Sequence, residues 1–141
     1  MKTNKTLGGG GFHHVAIRAQ DFDASVRFYT EALGFIERIR WGSDQKRAIM
    51  LDVGDGNYLE IFSGRTESLS SDAPEPPILH FAIRTGDTDA AIARARAAGA
   101  VVTIEPKDVV IQSTPQPTPV RLAFCKGPDG EIIEFFQSET T

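Results

Sequence analysis

A single cysteine, Cys125, stands in the 141-residue chain, so no disulfide can form within it, and a reducing cytoplasm is the simplest setting. No run approaches the ~18 apolar residues that a membrane helix needs. The start, MKTNKTLGGGG, lacks the apolar stretch of a secretory signal. Blocks of lysine and arginine are missing too. With 15 basic against 19 acidic residues and a net charge of −4, the chain offers no surface suited to a nucleic-acid backbone. Membrane and nucleic-acid partners are thereby set aside, and small molecules remain. What is present suffices for a core: 40% of residues are hydrophobic and 24% charged. The length fits one compact domain or two interdependent halves. Residues 1–11, ending in a run of glycines, read as a flexible leader.

The chain repeats itself. "HVAIRAQDFDAS" (14–25) lies over "HFAIRTGDTDAA" (80–91), with His, Ala, Ile, Arg and both Asp in common. Later in each half comes a second shared piece, "DGNYLEIF" (55–62) and "DGEIIEFF" (129–136). Local patterning fills in the rest. Residues 12–19 alternate as a strand, Asp21 or Asp23 can cap a helix running to about Leu33, and Gly34 ends it. Strands are expected near 35–41, 47–53 and 57–62. The second half repeats the order, with a strand at 78–84, a helix near 88–98, and strands near 100–105, 120–125 and 131–137. This predicts a βαβββ module twice, over 12–64 and 78–138, joined by a linker at 65–77. The Pro-rich stretch 107–120 is an insertion, expected as a lid or rim.

Strand alternation sorts the unusual residues. His14, Ala16 and Arg18 share one face, as do His80, Ala82 and Arg84. Glu60 lies with Tyr58 and Phe62, and Glu134 with Ile132 and Phe136. Each strand keeps an opposite apolar face for its helix. His13 falls on that other face and reads as a helix-facing or edge residue. Two histidines and two glutamates on such faces form a plausible octahedral set with two positions open, and mixed imidazole–carboxylate ligation suits a divalent metal. A cation would also remove the cost of burying carboxylates.

The opening "HHVAIRAQDFDASVRFYTEALGF" and the closing "FCKGPDGEIIEFF" resemble the vicinal oxygen chelate superfamily. Within it, the pattern is most similar to glyoxalase I (lactoylglutathione lyase) and its bacterial relatives, over residues 12–137. The resemblance implies an α+β fold in which two βαβββ modules form a curved mixed sheet around one divalent metal ion: nickel, zinc, cobalt, manganese or iron. Carried over by position, the implied ligands are His14, Glu60, His80 and Glu134. The implied activity is a lyase or isomerase reaction on a thiol adduct of a 2-oxoaldehyde, by proton transfer through a metal-stabilised enediolate. Glu134 would be the leading base and Glu60 its partner. Arg18 matches a position that contacts a substrate carboxylate, and Arg84 is its counterpart in the repeat. One departure stands out: Gly64 replaces an asparagine that usually helps to hold glutathione.

The superfamily hosts other chemistries. Close behind is proton transfer beside a thioester carbonyl, as in methylmalonyl-CoA epimerases. A non-catalytic binding protein of the bleomycin-resistance kind is a further alternative, weakened by the presence of all four metal residues. The fourth ligand also argues against an extradiol dioxygenase, which wants two histidines and one carboxylate with free positions. A homodimer is expected, as both self-contained and module-swapped arrangements occur among such proteins.

Overall fold

The computed structural model describes residues 4–32, 34–64, 77–127, 130 and 132–141. Most of the expected linker, Leu33 at the end of the first helix, and Asp129 and Glu131 of the second octapeptide lie outside the described residues. The elements are β1 (Phe12–Arg18), α1 (Phe22–Arg27), β2 (Ile36–Trp41), β3 (Ala48–Asp52), β4 (Tyr58–Phe62), β5 (Ile78–Arg84), α2 (Thr88–Ala97), β6 (Val101–Ile111), β7 (Ser113–Thr114), β8 (Thr118–Lys126) and β9 (Ile132–Gln137). The βαβββ order thus occurs twice, and β7 is the one strand that the patterning did not predict. Among the described residues no helix is long and apolar enough to cross a membrane.

The chain forms two compact units. The first contains residues 1–14, 80–111 and 117–141, and the second contains 15–79 and 112–116. In the first, β6 pairs with β8 and β8 with β9, both antiparallel, while β9 runs parallel to β5. In the second, β2–β3, β3–β4 and β2–β7 are all antiparallel. The sheet is therefore mixed, with helices lying on it, as the α+β expectation requires.

Each unit packs an apolar cluster, and six positions of the two correspond across the repeat. Ile17, Val26, Ile49, Leu51, Leu59 and Ile61 pack in the second unit. Their counterparts Ile83, Ile92, Ala123, Cys125, Ile133 and Phe135 pack in the first. Cys125 thus fills the place of a leucine, as a small buried hydrophobe. Helix entry is repeated as well. Asp21 Oδ1 accepts from the Ala24 N–H at 2.9 Å, and Asp87 Oδ1 accepts from that of Ala90 at 2.9 Å. Two residues on, Asp23 pairs with Arg47 and Asp89 with Arg121, tying each helix's first turn to the same place in the following strands.

Two segments differ from expectation. The Pro-rich 107–120 stretch is a hairpin: Lys107–Ile111 extend β6 against Thr118–Leu122 of β8, and only its tip, 112–116, belongs to the other unit. Pro106 lies where the β6–β8 register shifts between Ile104 and Lys107, Pro115 lies in the tip, Pro117 lies between the tip and β8, and Pro119 lies within β8 opposite Val110. Val109 and Ile111 pack on Val120 and Phe136, which anchors the extension. Residues 4–11 carry more structure than a flexible leader needs. Leu7 joins the first unit's cluster, and its carbonyl accepts from the Gly86 N–H at 3.0 Å and from Thr85 Oγ1 at 3.0 Å. Glycine is needed for this approach: a Cβ on Gly86 would meet the Gly8 carbonyl at 3.2 Å.

Candidate metal centre

Three strands of the first unit bring the chemistry together. β9 lies parallel to β5 with Glu134 opposite Ala82, and His80 is two residues before Ala82 on the same face of β5. His14 comes from the start of β1. His14 Nε2 is 2.9 Å from His80 Nε2 and 2.9 Å from Glu134 Oε2, and His80 Nε2 is 3.1 Å from the same carboxylate oxygen. His14 and Glu134 are 2% and 3% exposed, and His80 is half-buried. Phe136 stands edge-on to His14 and Phe124 edge-on to His80, so the cluster has aromatic walls.

The electrostatics favour a charged carboxylate. Burial alone would push the Glu134 carboxyl up, but hydrogen bonds to His14 and His80, with their charge interaction, hold it below the usual carboxylate range. An ionised carboxylate under protein, facing two imidazole nitrogens, is a donor set that calls for a cation. The spacing fits one. Metal–ligand bonds of about 2.1 Å place neighbouring donors of an octahedron about 3.0 Å apart. The three edges here are 2.9, 2.9 and 3.1 Å. Among the described residues, His14, His80 and Glu134 form a group able to hold a metal ion.

Sequence reasoning missed His13. Read as a helix-facing or edge residue, it is 1% exposed, and its Nδ1 lies 2.9 Å from His14 Nδ1. Its Nε2 is 2.9 Å from Thr141 Oγ1, and its ring packs on Phe136 at 4.1 Å. Burial first, then His14 and Arg84, hold its pKa down to about 2, against an opposing hydrogen bond with the Thr141 backbone. Alternation sends neighbouring side chains to opposite faces, but Nδ1 is bonded to the ring carbon nearest the backbone. Two adjacent rings can therefore turn these atoms toward each other. The doublet "HH" was the only signal available.

The other candidates lie as follows. Glu60 belongs to the second unit, buried on β4 opposite Met50, just as Glu134 is opposite Phe124 on β8. Arg18, at the end of β1, donates from Nη1 to the Ser63 carbonyl at 3.2 Å. It lines a cavity of about 410 Å³ with Trp41, Lys46, Arg47 and Phe62. Arg84 Nη1 donates to the Phe12 carbonyl at 2.7 Å, and Arg84 lines a smaller cavity of about 180 Å³ with His13 and Gly8–Gly10. Met50 is fully buried with Ile39 and Tyr58.

The chain is 33% identical over 127 residues to an uncharacterised Bacillus subtilis protein, YwbC, covering 88% of this chain and 94% of that one. It is 30% identical over 141 residues to a probable lactoylglutathione lyase of Vibrio parahaemolyticus, covering 94% of each. Among solved structures, methylmalonyl-CoA epimerase from Mycobacterium tuberculosis is similar with a TM-score of 0.68 and 26% identity, covering 91% of this chain and 87% of that one. The family model of the Glyoxalase/Bleomycin resistance protein/Dioxygenase superfamily matches residues 11–135. That span runs from before β1 into β9 and takes in every residue of the three-donor group, and the chain belongs to this superfamily.

Proposed function

We propose that the protein is a metal-dependent lyase or isomerase that moves a proton between adjacent carbons of a thiol adduct of a 2-oxoaldehyde. The observation that carries this reading is the buried, ionised Glu134 within hydrogen-bond reach of two imidazoles. A divalent cation (nickel, zinc, cobalt, manganese or iron), held by His14, His80 and Glu134, would offset the negative charge that builds on the substrate's oxygens. Glu60, the repeat counterpart of Glu134, is the proposed fourth donor and partner base. Glu134 takes the proton from one carbon and returns it to the next, so no proton is lost overall. The aromatic rings of Phe136 and Phe124 pack edge-on against His14 and His80. Arg18, four residues along β1 from His14, is the proposed anchor for a substrate carboxylate, with Lys46 adding charge and Trp41 and Phe62 apolar walls in the same cavity. Arg84 is a second proposed substrate contact through its place in the repeat.

The test is metal content by mass spectrometry for the wild type and Glu134→Gln, followed by turnover of methylglyoxal with glutathione. The wild type should carry close to one metal per chain and turn over. The variant should hold less metal and lose at least about a hundredfold in rate, the lower range for a positioned base. Wild-type protein that takes up no metal even on reconstitution would overturn the reading.

Likeness to methylmalonyl-CoA epimerase, together with Gly64 in place of an amide side chain, favours a second reading in which the substrate is a CoA thioester. There the proton would leave and rejoin the same carbon. Metal-dependent deuterium exchange into methylmalonyl-CoA, without methylglyoxal turnover, would select it.

A further inference from the structure

We propose that His13 is a positioning residue: it fixes the tautomer and ring angle of His14, so that His14 Nε2 presents its lone pair toward His80 and Glu134. The inference rests on the metal reading above and extends it to a residue outside the donor group. Two imidazole Nδ1 atoms 2.9 Å apart can share only one proton, since two N–H bonds pointed at each other would collide. A metal-binding His14 needs its Nε2 unprotonated, so its proton must be on Nδ1 and must be donated to His13 Nδ1. His13 then carries its own proton on Nε2, where Thr141 Oγ1 waits at 2.9 Å as acceptor. Thr141 in turn donates from Oγ1 to Ser138 Oγ at 3.0 Å. Each of the three donors, His14, His13 and Thr141, then meets an acceptor, and the requirement at His14 Nε2 sets the direction outward to Ser138. Close, tilted packing on Phe136, with ring centres 4.1 Å apart, restrains the His13 ring. Histidine ligands usually pass their second N–H to a carboxylate or a carbonyl. Here a neutral imidazole takes that place and adds no charge beside the cluster.

The test uses the full chain and a Zn²⁺ or Co²⁺ competition titration against a chelator, with thermal unfolding of each metal-free variant to verify folding. His13→Phe keeps the ring and removes the acceptor, and it should weaken metal binding about 10–100-fold. His13→Asn restores an acceptor near the Nδ1 position and should recover affinity to within a few-fold of wild type. Thr141→Val, at a half-buried site with little risk to folding, should show a smaller loss in the same direction. In the zinc-loaded wild type, nitrogen-15 spectra should report His14 with its proton on Nδ1 and His13 with its proton on Nε2. A folded His13→Phe that binds metal as tightly as wild type would overturn the proposal while leaving the metal centre standing. An Asn variant as weak as the Phe variant would also sink it, because packing and not the acceptor would then be what matters. Wild-type protein that binds no metal would remove the metal reading itself, and this inference with it.

Discussion

His13 stays neutral in the folded protein through most of the acid range, its pKa held down to about 2 from the ordinary 6.5, chiefly by burial. The unfolded chain takes up that proton near pH 6.5 and the folded one does not. Below 6.5 the unfolded state therefore binds more protons, so stability is present at neutral pH and falls as the solution is acidified. Between pH 6.5 and 5 the loss integrates to about 1.5 kcal/mol for one such group. Glu134 adds acid lability of the same sign, since its pKa is also depressed, but only below the ordinary glutamate value of 4.5. Of these two shifted groups, only His13 acts above pH 4.5. Urea unfolding of chelator-treated protein at pH 6.5 and 5 should show this loss, and His13→Phe should flatten it. A slope that persists unchanged in the variant would assign the lability elsewhere.

At the scale of elements, the two helices are set by local chemistry that repeats. Asp87 caps α2 through the Ala90 N–H, and replacing it with alanine strands that donor. Asp87→Ala should cost about 1 kcal/mol in chemical denaturation, and Asp87→Asn, which keeps a capping oxygen, should cost much less. Equal losses would show that charge near the helix end matters more than the cap. The cap of α1 was legible to within two residues, as Asp21 or Asp23, while that of α2 was not singled out; the strands were legible because their alternation is local. The hairpin at 107–120 was not. Proline content argues for a loop, and nothing near it in sequence reveals that Pro106 would coincide with a register shift or that Val110 would face Pro119 across the ladder. Nor does composition reveal that Phe28–Ala32 continues α1 as a π-helical turn, since that depends on hydrogen-bond register and not on residue type.

Across the whole molecule, the cluster was legible to the extent that it is repeated. His14, His80 and Glu134 each sit on a motif present twice, and the motif's alternation assigns each a face. Glu60 shares that logic, and its buried place on β4 matches Glu134's on β9. His13 has no counterpart, because Leu79 stands at the equivalent position, so the repeat carried no information about it. That asymmetry has a consequence for stability. The three grouped donors come from β1, β5 and β9, which are far apart in sequence, and no unfolded chain holds them together. A metal that binds only the folded arrangement therefore stabilises it by mass action. At a hundredfold excess over Kd the gain is about 2.7 kcal/mol, or roughly 10 °C in Tm for a chain of this size. Adding Zn²⁺ to chelator-treated protein should raise Tm by about that much, and chelator should reverse it. His80→Gln removes one corner of the donor triangle at a half-buried position, where its own cost to folding is small, and the shift should largely vanish. The same shift in His80→Gln as in wild type would mean that the ion binds somewhere else on the chain, and the centre would have to be sought away from this cluster.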